Sequence, residues 1–162
     1  ERLPPGQGPL SSALVGLADG RLIWVDGDDV SMWRGRTDVR FAFQSYPTLL
    51  TADGEGPAPV RDGEINVTHR DARLALGIDR EQRVLVVLTR FDAPIPGADR
   101  LPFGLSVPEM AAVMGSLGAR QAMLLDGGIS AQVAISDSAG HARAWKGLRK
   151  VPLALVVRSD QQ

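Results

Sequence analysis

Apolar residues along the chain fall in short runs and alternations bounded by Gly, Pro and Asp, which is the signature of strands more than of helices. Ser12 to Leu17 and Arg21 to Val25 read as two strands joined by the Asp-Gly turn Ala18-Asp19-Gly20. A third short strand is expected over Val30 to Trp33. The acidic stretch before it, Asp26-Gly27-Asp28-Asp29, lacks the further ligands and closing Glu of a calcium loop and reads as a solvated hairpin turn. From Arg40 the alternation through Phe41 and Phe43 predicts a strand that Pro47 interrupts or places at an edge, since proline cannot donate to a ladder. Gln44, Ser45 and Tyr46 stand at that break, where they either meet a ligand or tie down a bend. Residues 51–63, rich in Gly, Pro and Asp, read as a surface loop, and Glu64 to Thr68 as a short strand.

Ala72 to Asp79 and Val84 to Thr89 form the next pair, an antiparallel hairpin closed by the polar turn Asp79 to Arg83; the second run is apolar enough for a buried strand. Arg73 lies at the front of the first strand. It either covers the sheet edge with its alkyl stem or aims its donor fork at an anion. Phe91 to Gly104, with three prolines and two glycines, is a long loop of the kind that carries function inside a compact domain. It leads into the one clear helix, about 107–117. Ser106 and Glu109 form a capping box with proline in the first turn, Met110, Val113, Met114 and Leu117 make an apolar stripe, and Gly118 ends it. Strand 84–89, this helix and strand 121–125 compose a β-loop-α-β unit, expected to cross over right-handed with its two strands parallel. That arrangement puts the long loop and Asp126 at one end of the sheet, the default place for a pocket. Strand Gln132 to Ile135, a Ser-Asp-Ser-Ala-Gly turn and a last strand Val151 to Arg158 complete the chain. The fold class is therefore α+β: a mixed, largely antiparallel sheet with one helix, over residues 10–160, after a proline- and glycine-rich flexible entry at 1–9.

The chemistry concentrates in Ala122 to Val133. Met123, Leu124 and Leu125 make a buried strand that delivers Asp126 where the chain leaves the core. Gly127 and Gly128 allow positive φ and close approach of a ligand or a second backbone, and Ser130 returns a hydroxyl. The plainer alternative is that Asp-Gly-Gly serves only as a hairpin turn.

Composition narrows the picture. The chain has 162 residues and a formal net charge of -1, which suits one domain, or one incomplete one, and gives no electrostatic case for nucleic acid. Only Lys146, Arg149 and Lys150 gather basic charge; they either line an anionic site or are solvated. There are no cysteines, so disulfides, thiolate metal sites and cysteine nucleophiles are excluded. No apolar run approaches the ~18 residues of a membrane span, and no leader with a charged start and apolar middle is seen. The chain opens on Glu1 and not Met, so it is expected to be a trimmed or processed piece, of exported origin in the periplasm, cell envelope or extracellular space.

A Gly-x-Ser-x-Gly elbow, a His-Glu-x-x-His pair, a Walker loop and a dinucleotide fingerprint are all missing, and no metal or cofactor site is implied. The two histidines, His69 and His141, have no local partner that would mark a triad. What remains is a carboxylate at a glycine-rich strand end, an arginine on a neighbouring strand, and polar groups at a sheet break. Arginine pairs with phosphate and carboxylates break glycosidic bonds, so an anionic sugar suits the set. The second carboxylate is left open among Asp71, Asp79 and Asp92.

These residues resemble the phosphodiester glycosidase family, that of N-acetylglucosamine-1-phosphodiester alpha-N-acetylglucosaminidase. The matching fragments occur in the family's order: Gln44-Ser45-Tyr46-Pro47, Arg73-Leu-Ala-Leu-Gly77-Ile-Asp79, Leu117-Gly-Ala119, Leu125-Asp-Gly-Gly-Ile-Ser130 and Arg149-Lys-Val151, over about residues 40–158. The resemblance implies that Asp126 and Arg73 are catalytic, with Gly127, Gly128 and Ser130 shaping the site. Gln44, Ser45 and Arg149 are the further substrate-binding candidates. It also implies hydrolysis of a sugar-1-phosphodiester to free sugar and a phosphomonoester, with a carbohydrate or sugar-phosphate as ligand. Leu74 stands where the family has threonine, Ile129 where it has a third glycine, and the family's upstream Asn-Gly-Gly-Phe-Phe-like segment has no counterpart here. An upstream segment or separate chain would then complete the site. The alternative function is glycan binding, or a structural role, without catalysis.

Overall fold

The structure, a computed structural model, describes residues 12–52, 66–91 and 103–158. The entry segment 1–9, most of the loops expected at 51–63 and 91–104, and Asp92 lie outside the described residues. Among the described residues the fold is α+β, built from two antiparallel sheets, a two-stranded arm and one α-helix.

β1 (Ser12–Leu17), β2 (Leu22–Asp26) and β3 (Val39–Ser45) form a three-stranded sheet in the order β2-β1-β3. The Asp-Gly turn between the first two is present, with Gly20 at φ 88°. Residues Gly27–Trp33 form a 3-10 helix, which replaces the strand expected at Val30 to Trp33. Val30 and Trp33, three apart, both pack against the cluster of Ala13, Val15, Leu17 and Val25, and that spacing suits a three-residue turn, not the alternation of a strand.

The break at Pro47 switches the chain between sheets. After a cis Tyr46-Pro47 bond, β4 (Thr48–Leu50) pairs not with β1 but with the second sheet, whose order is β4-β7-β5-β6. Its other members are β5 (Arg73–Asp79), β6 (Val84–Thr89) and β7 (Ala119–Leu124). Leu14, Leu76, Ile78 and Met123 fill the space between the two sheets, while Ala75, Ala122 and Leu124 face the helix. Covered on both sides, Leu74 to Ile78 of β5 and Ala122 to Leu124 of β7 read as continuous apolar runs. β6 is an edge strand with Val84 and Val86 exposed and Leu85 and Val87 half-buried against the core, so the buried strand expected there is only half-covered, on one face.

Helix α1 (Val107–Ser116) carries the full reciprocal capping box of Ser106 and Glu109. Its buried residues are Val107, Met110, Ala111 and Met114; Val113 is half-buried, and Leu117, beyond the last helical turn, is exposed. The apolar stripe thus lies nearer the N-terminus than its sequence spacing suggested. β6 and β7 do run in the same direction, since β5 is antiparallel to both, but β5 lies between them and all strand pairings are antiparallel.

β8 (Val133–Ser136) and β9 (Ala142–Trp145) make a separate hairpin. Ala-Arg-Ala-Trp carries too little alternation to announce a strand, and β9 was not expected. Residues 66–68 form a turn around Asn66, whose side-chain oxygen accepts the amides of Thr68 and His69, in place of the end of the strand expected at Glu64 to Thr68. Val151 to Arg158 is not a strand: no ladder partner exists for it among the described residues, and Leu153, Val156 and Val157 are exposed.

Asp79 closes the β5–β6 turn at the end of the sheet away from Arg73. Its Oδ1 accepts the amides of Glu81 and Arg83 at 3.0 and 2.8 Å, and its Oδ2 the Arg83 Nε at 2.6 Å. Burial raises this carboxyl's pKa, but those N–H donors and the Arg83 charge outweigh it and hold the group below the usual carboxylate range. A depressed carboxylate stabilises the fold above about pH 4 and loses that contribution as pH falls through its folded value. Acid titration of the unfolding midpoint should therefore show a steeper loss below about pH 4 for the parent than for Asp79→Ala. Equal slopes would show that the turn does not bind the anion preferentially.

Candidate active site

The register of the second sheet brings the chemistry to one end. Arg73 is opposite Thr89, and Ala75 opposite Leu124, so the start of β5 and the ends of β6 and β7 coincide there. The loop after β7 lies along the residues before β5: Leu125 donates its amide to the Leu74 carbonyl and Gly128 to that of Ala72, both at 2.8 Å. This is why two glycines are needed. A Cβ on Gly127 would stand 2.8 Å from the Ala72 carbonyl oxygen. Gly128 has φ 56°, and a Cβ there would stand 2.8 Å from the Asp71 Oδ2. The Asp-Gly-Gly segment is not a hairpin turn, since β7 and β8 are unpaired and Gly128–Ser130 forms a 3-10 turn between them.

Asp126 is largely exposed and pairs with Arg149, Nη2 to Oδ2, at 3.1 Å. Arg149 is delivered by its backbone. The amides of Leu148 and Arg149 both donate to the Ile129 carbonyl, at 2.8 and 3.0 Å, and Gly147 permits this approach because a Cβ would fall 2.6 Å from the same oxygen. An ion pair this open to water contributes at most about 1 kcal/mol, so a charged ligand exchanges with it easily.

Arg73 is held more firmly. Its Nε donates to the Leu105 carbonyl at 2.8 Å and its Nη2 to that of His69. Burial lowers its pKa from the ordinary value while the Asp71 charge acts against that. Two main-chain carbonyls thus orient the guanidinium and leave its remaining N–H groups for other acceptors. Asp71 shares the anchor: its backbone exchanges hydrogen bonds with Leu105 at 3.1 and 2.9 Å, and its Oδ1 accepts the Ala72 amide at 2.9 Å.

Of the residues singled out in the sequence, Asp126, Gly127, Gly128, Arg73 and Arg149 gather at this end. Ser130 is buried at the foot of the loop, its amide donating to the Gly127 carbonyl at 3.0 Å. The Ser45 hydroxyl donates to the Leu124 carbonyl and links the two sheets just before Asp126. Gln44 faces Ala13 in the first sheet and shares no hydrogen bond with the loop. His141 lies on the β8–β9 turn, paired with Asp137 at 2.9 Å. Arg70, missed in the sequence, pairs with Glu109 of the capping box. Asp71 was one of three open carboxylates; its spacing of two before Arg73, which puts both on one side of an extended chain, is the signal that singles it out. Among the described residues no three His, Asp or Glu side chains converge as a metal site.

A family model described as phosphodiester glycosidase matches residues 9–158. The catalytic domain of zebrafish N-acetylglucosamine-1-phosphodiester alpha-N-acetylglucosaminidase, auto-inhibited by its pro-peptide, is similar in fold, with a TM-score of 0.56 and 18% identity over 79% of this chain and 43% of that one. A hypothetical protein from Synechocystis has a TM-score of 0.46 and 19% identity over 77% of this chain and 30% of that one. The chain spans less than half the length of either structure. No curated protein matches it.

Proposed function

Because the chain belongs to the phosphodiester glycosidase family, we propose that its glycine loop and paired arginines hydrolyse a sugar-1-phosphodiester, breaking the anomeric C–O bond to give free sugar and a phosphomonoester. The observation that carries this reading is the exposed Asp126–Arg149 pair beside the carbonyl-oriented Arg73. An anomeric carbon that turns positive sits next to a phosphate that stays negative, and a carboxylate paired with a guanidinium complements both. The leaving group also matters. A phosphomonoester has a second pKa of about 6, so it departs as a stable anion and asks for a cation more than for a proton donor. Arg149 and Arg73 take that part, and Asp126 faces the charge developing at C1.

The natural substrate in this reading is an envelope or extracellular glycan, and the chain acts outside the cytoplasm. The zebrafish catalytic domain is more than twice as long as the part matched, which supports an upstream segment or partner chain completing the site. The same fact favours a second reading, a glycan-binding domain without catalysis.

Sugar release from a panel of sugar-1-phosphodiesters separates them. The parent should turn over one substrate class, Asp126→Asn should lose about 10²-fold or more in kcat, and Arg149→Ala should lower kcat as well as raise KM. A parent inert on the whole panel, alone and with its upstream segment supplied, sinks the enzymatic reading; retained binding of the same compounds would then establish the second.

A further inference from the structure

We infer that Asp71 is the second catalytic carboxylate, the base that takes a proton from the attacking water. The inference rests on the glycosidase reading and adds a residue to it. Of the open carboxylates among the described residues, Asp79 is committed to the turn at the opposite end of β5, which leaves Asp71 at the end where Asp126 stands. Asp71 is at the reacting end and is ordered in every part. Leu105 holds its backbone on both sides, the Ala72 amide holds Oδ1, and Oδ2 lies over the bare backbone of Gly128. No residue other than glycine fits beneath that oxygen without moving it.

The two acids around the loop differ in a way that suits different roles. Asp126 is exposed and engaged by an exposed arginine, whereas Asp71 is half-buried and fixed by backbone groups. A base must be held within hydrogen-bond reach of one water, and a preorganised carboxylate does this without rearrangement. Arg73, two residues along and clamped by Leu105, is presented at the same end of the sheet as this carboxylate. In the step proposed, the water oxygen bonds to C1 as Asp71 accepts its proton. The C1–O bond to phosphate breaks, and its electron pair leaves on the phosphomonoester. Asp71 then returns the proton to solvent.

The test uses the chain in whichever form releases sugar, compared with Asp71→Asn and Asp71→Ala. Asp71→Asn should lose about 10²–10⁴-fold in kcat with KM within about threefold of the parent. Added azide should restore turnover to Asp71→Ala and yield a glycosyl azide, since a small anion fills the vacated space and attacks C1 without needing a base. A structural role for Asp71 would give no such rescue. An active parent whose Asp71→Asn variant keeps its kcat, or whose Asp71→Ala variant is folded but insensitive to azide, overturns the inference while leaving the glycosidase reading standing. An inert parent overturns both.

Discussion

Replacing Gly128 by alanine is expected to lower stability and turnover together. With φ at 56°, any Cβ-bearing residue there adopts the left-handed conformation, at about 1–2 kcal/mol. The new methyl would also sit 2.8 Å from the Asp71 Oδ2, so the carboxylate or the loop must move. Overpacking of this kind brings the total to about 2–5 kcal/mol. A reacting group displaced by about 1 Å loses on the order of 10²-fold in rate. Gly20 supplies the control. Its φ is 88°, yet a Cβ there meets nothing within 4 Å, and it lies on the β1–β2 turn far along the chain from the loop. Gly20→Ala should therefore show the backbone strain without the loss of turnover. Thermal unfolding and sugar release measured on both variants decide the matter: equal effects would mean that the contact with Asp71 has no consequence.

Much of this arrangement was legible in the sequence because its signals are local. The Asp-Gly turn, the capping box and the hairpin ending in Asp79 each depend on a few adjacent residues, and each is present. The errors come where the partner of a segment decides its structure. Val30 to Trp33 has strand-like composition, but β1 and β2 offer it a surface that Val30 and Trp33 meet from a three-residue turn. Val84 to Leu88 is apolar throughout, and only the sheet order makes it an edge. Val151 to Arg158 has strand composition and no neighbour to form a ladder with among the described residues. The site followed the same rule. Asp126-Gly-Gly could be read as a strand-end motif, yet the reason for its glycines, the Ala72 carbonyl and the Asp71 carboxylate, lies more than fifty residues earlier. Arg73 was read as edge cover or anion fork. Neither anticipates the two carbonyls that orient it, because the Leu105 carbonyl reaches it through a bridge no spacing encodes.

Met114→Ala should be the most destabilising single core change. Met114 is fully buried on the helix face of the second sheet, and its Cε lies 2.7 Å from where a Gly77 Cβ would be. The methionine thus fills space left by a glycine on the facing strand. Truncating it leaves a hole lined on one side by bare backbone, which cannot collapse inward, so the loss belongs in the upper part of the usual range, about 3–5 kcal/mol. For a chain of this size that is a fall of roughly 6–20 °C in Tm. Gly77→Ala gives the converse. In the parent its methyl collides with Met114, with the Gln121 carbonyl at 2.9 Å and with the Ala119 Cβ at 3.1 Å. In the Met114→Ala background only the first obstacle is gone. Gly77→Ala should then cost less than it does in the parent but still destabilise, a coupling of about 0.5–3 kcal/mol in denaturant unfolding. Strictly additive losses would show that helix and strand do not meet at this point. They must meet for the site as well, because α1 begins one residue after Ser106, next to the Leu105 carbonyl that orients Arg73.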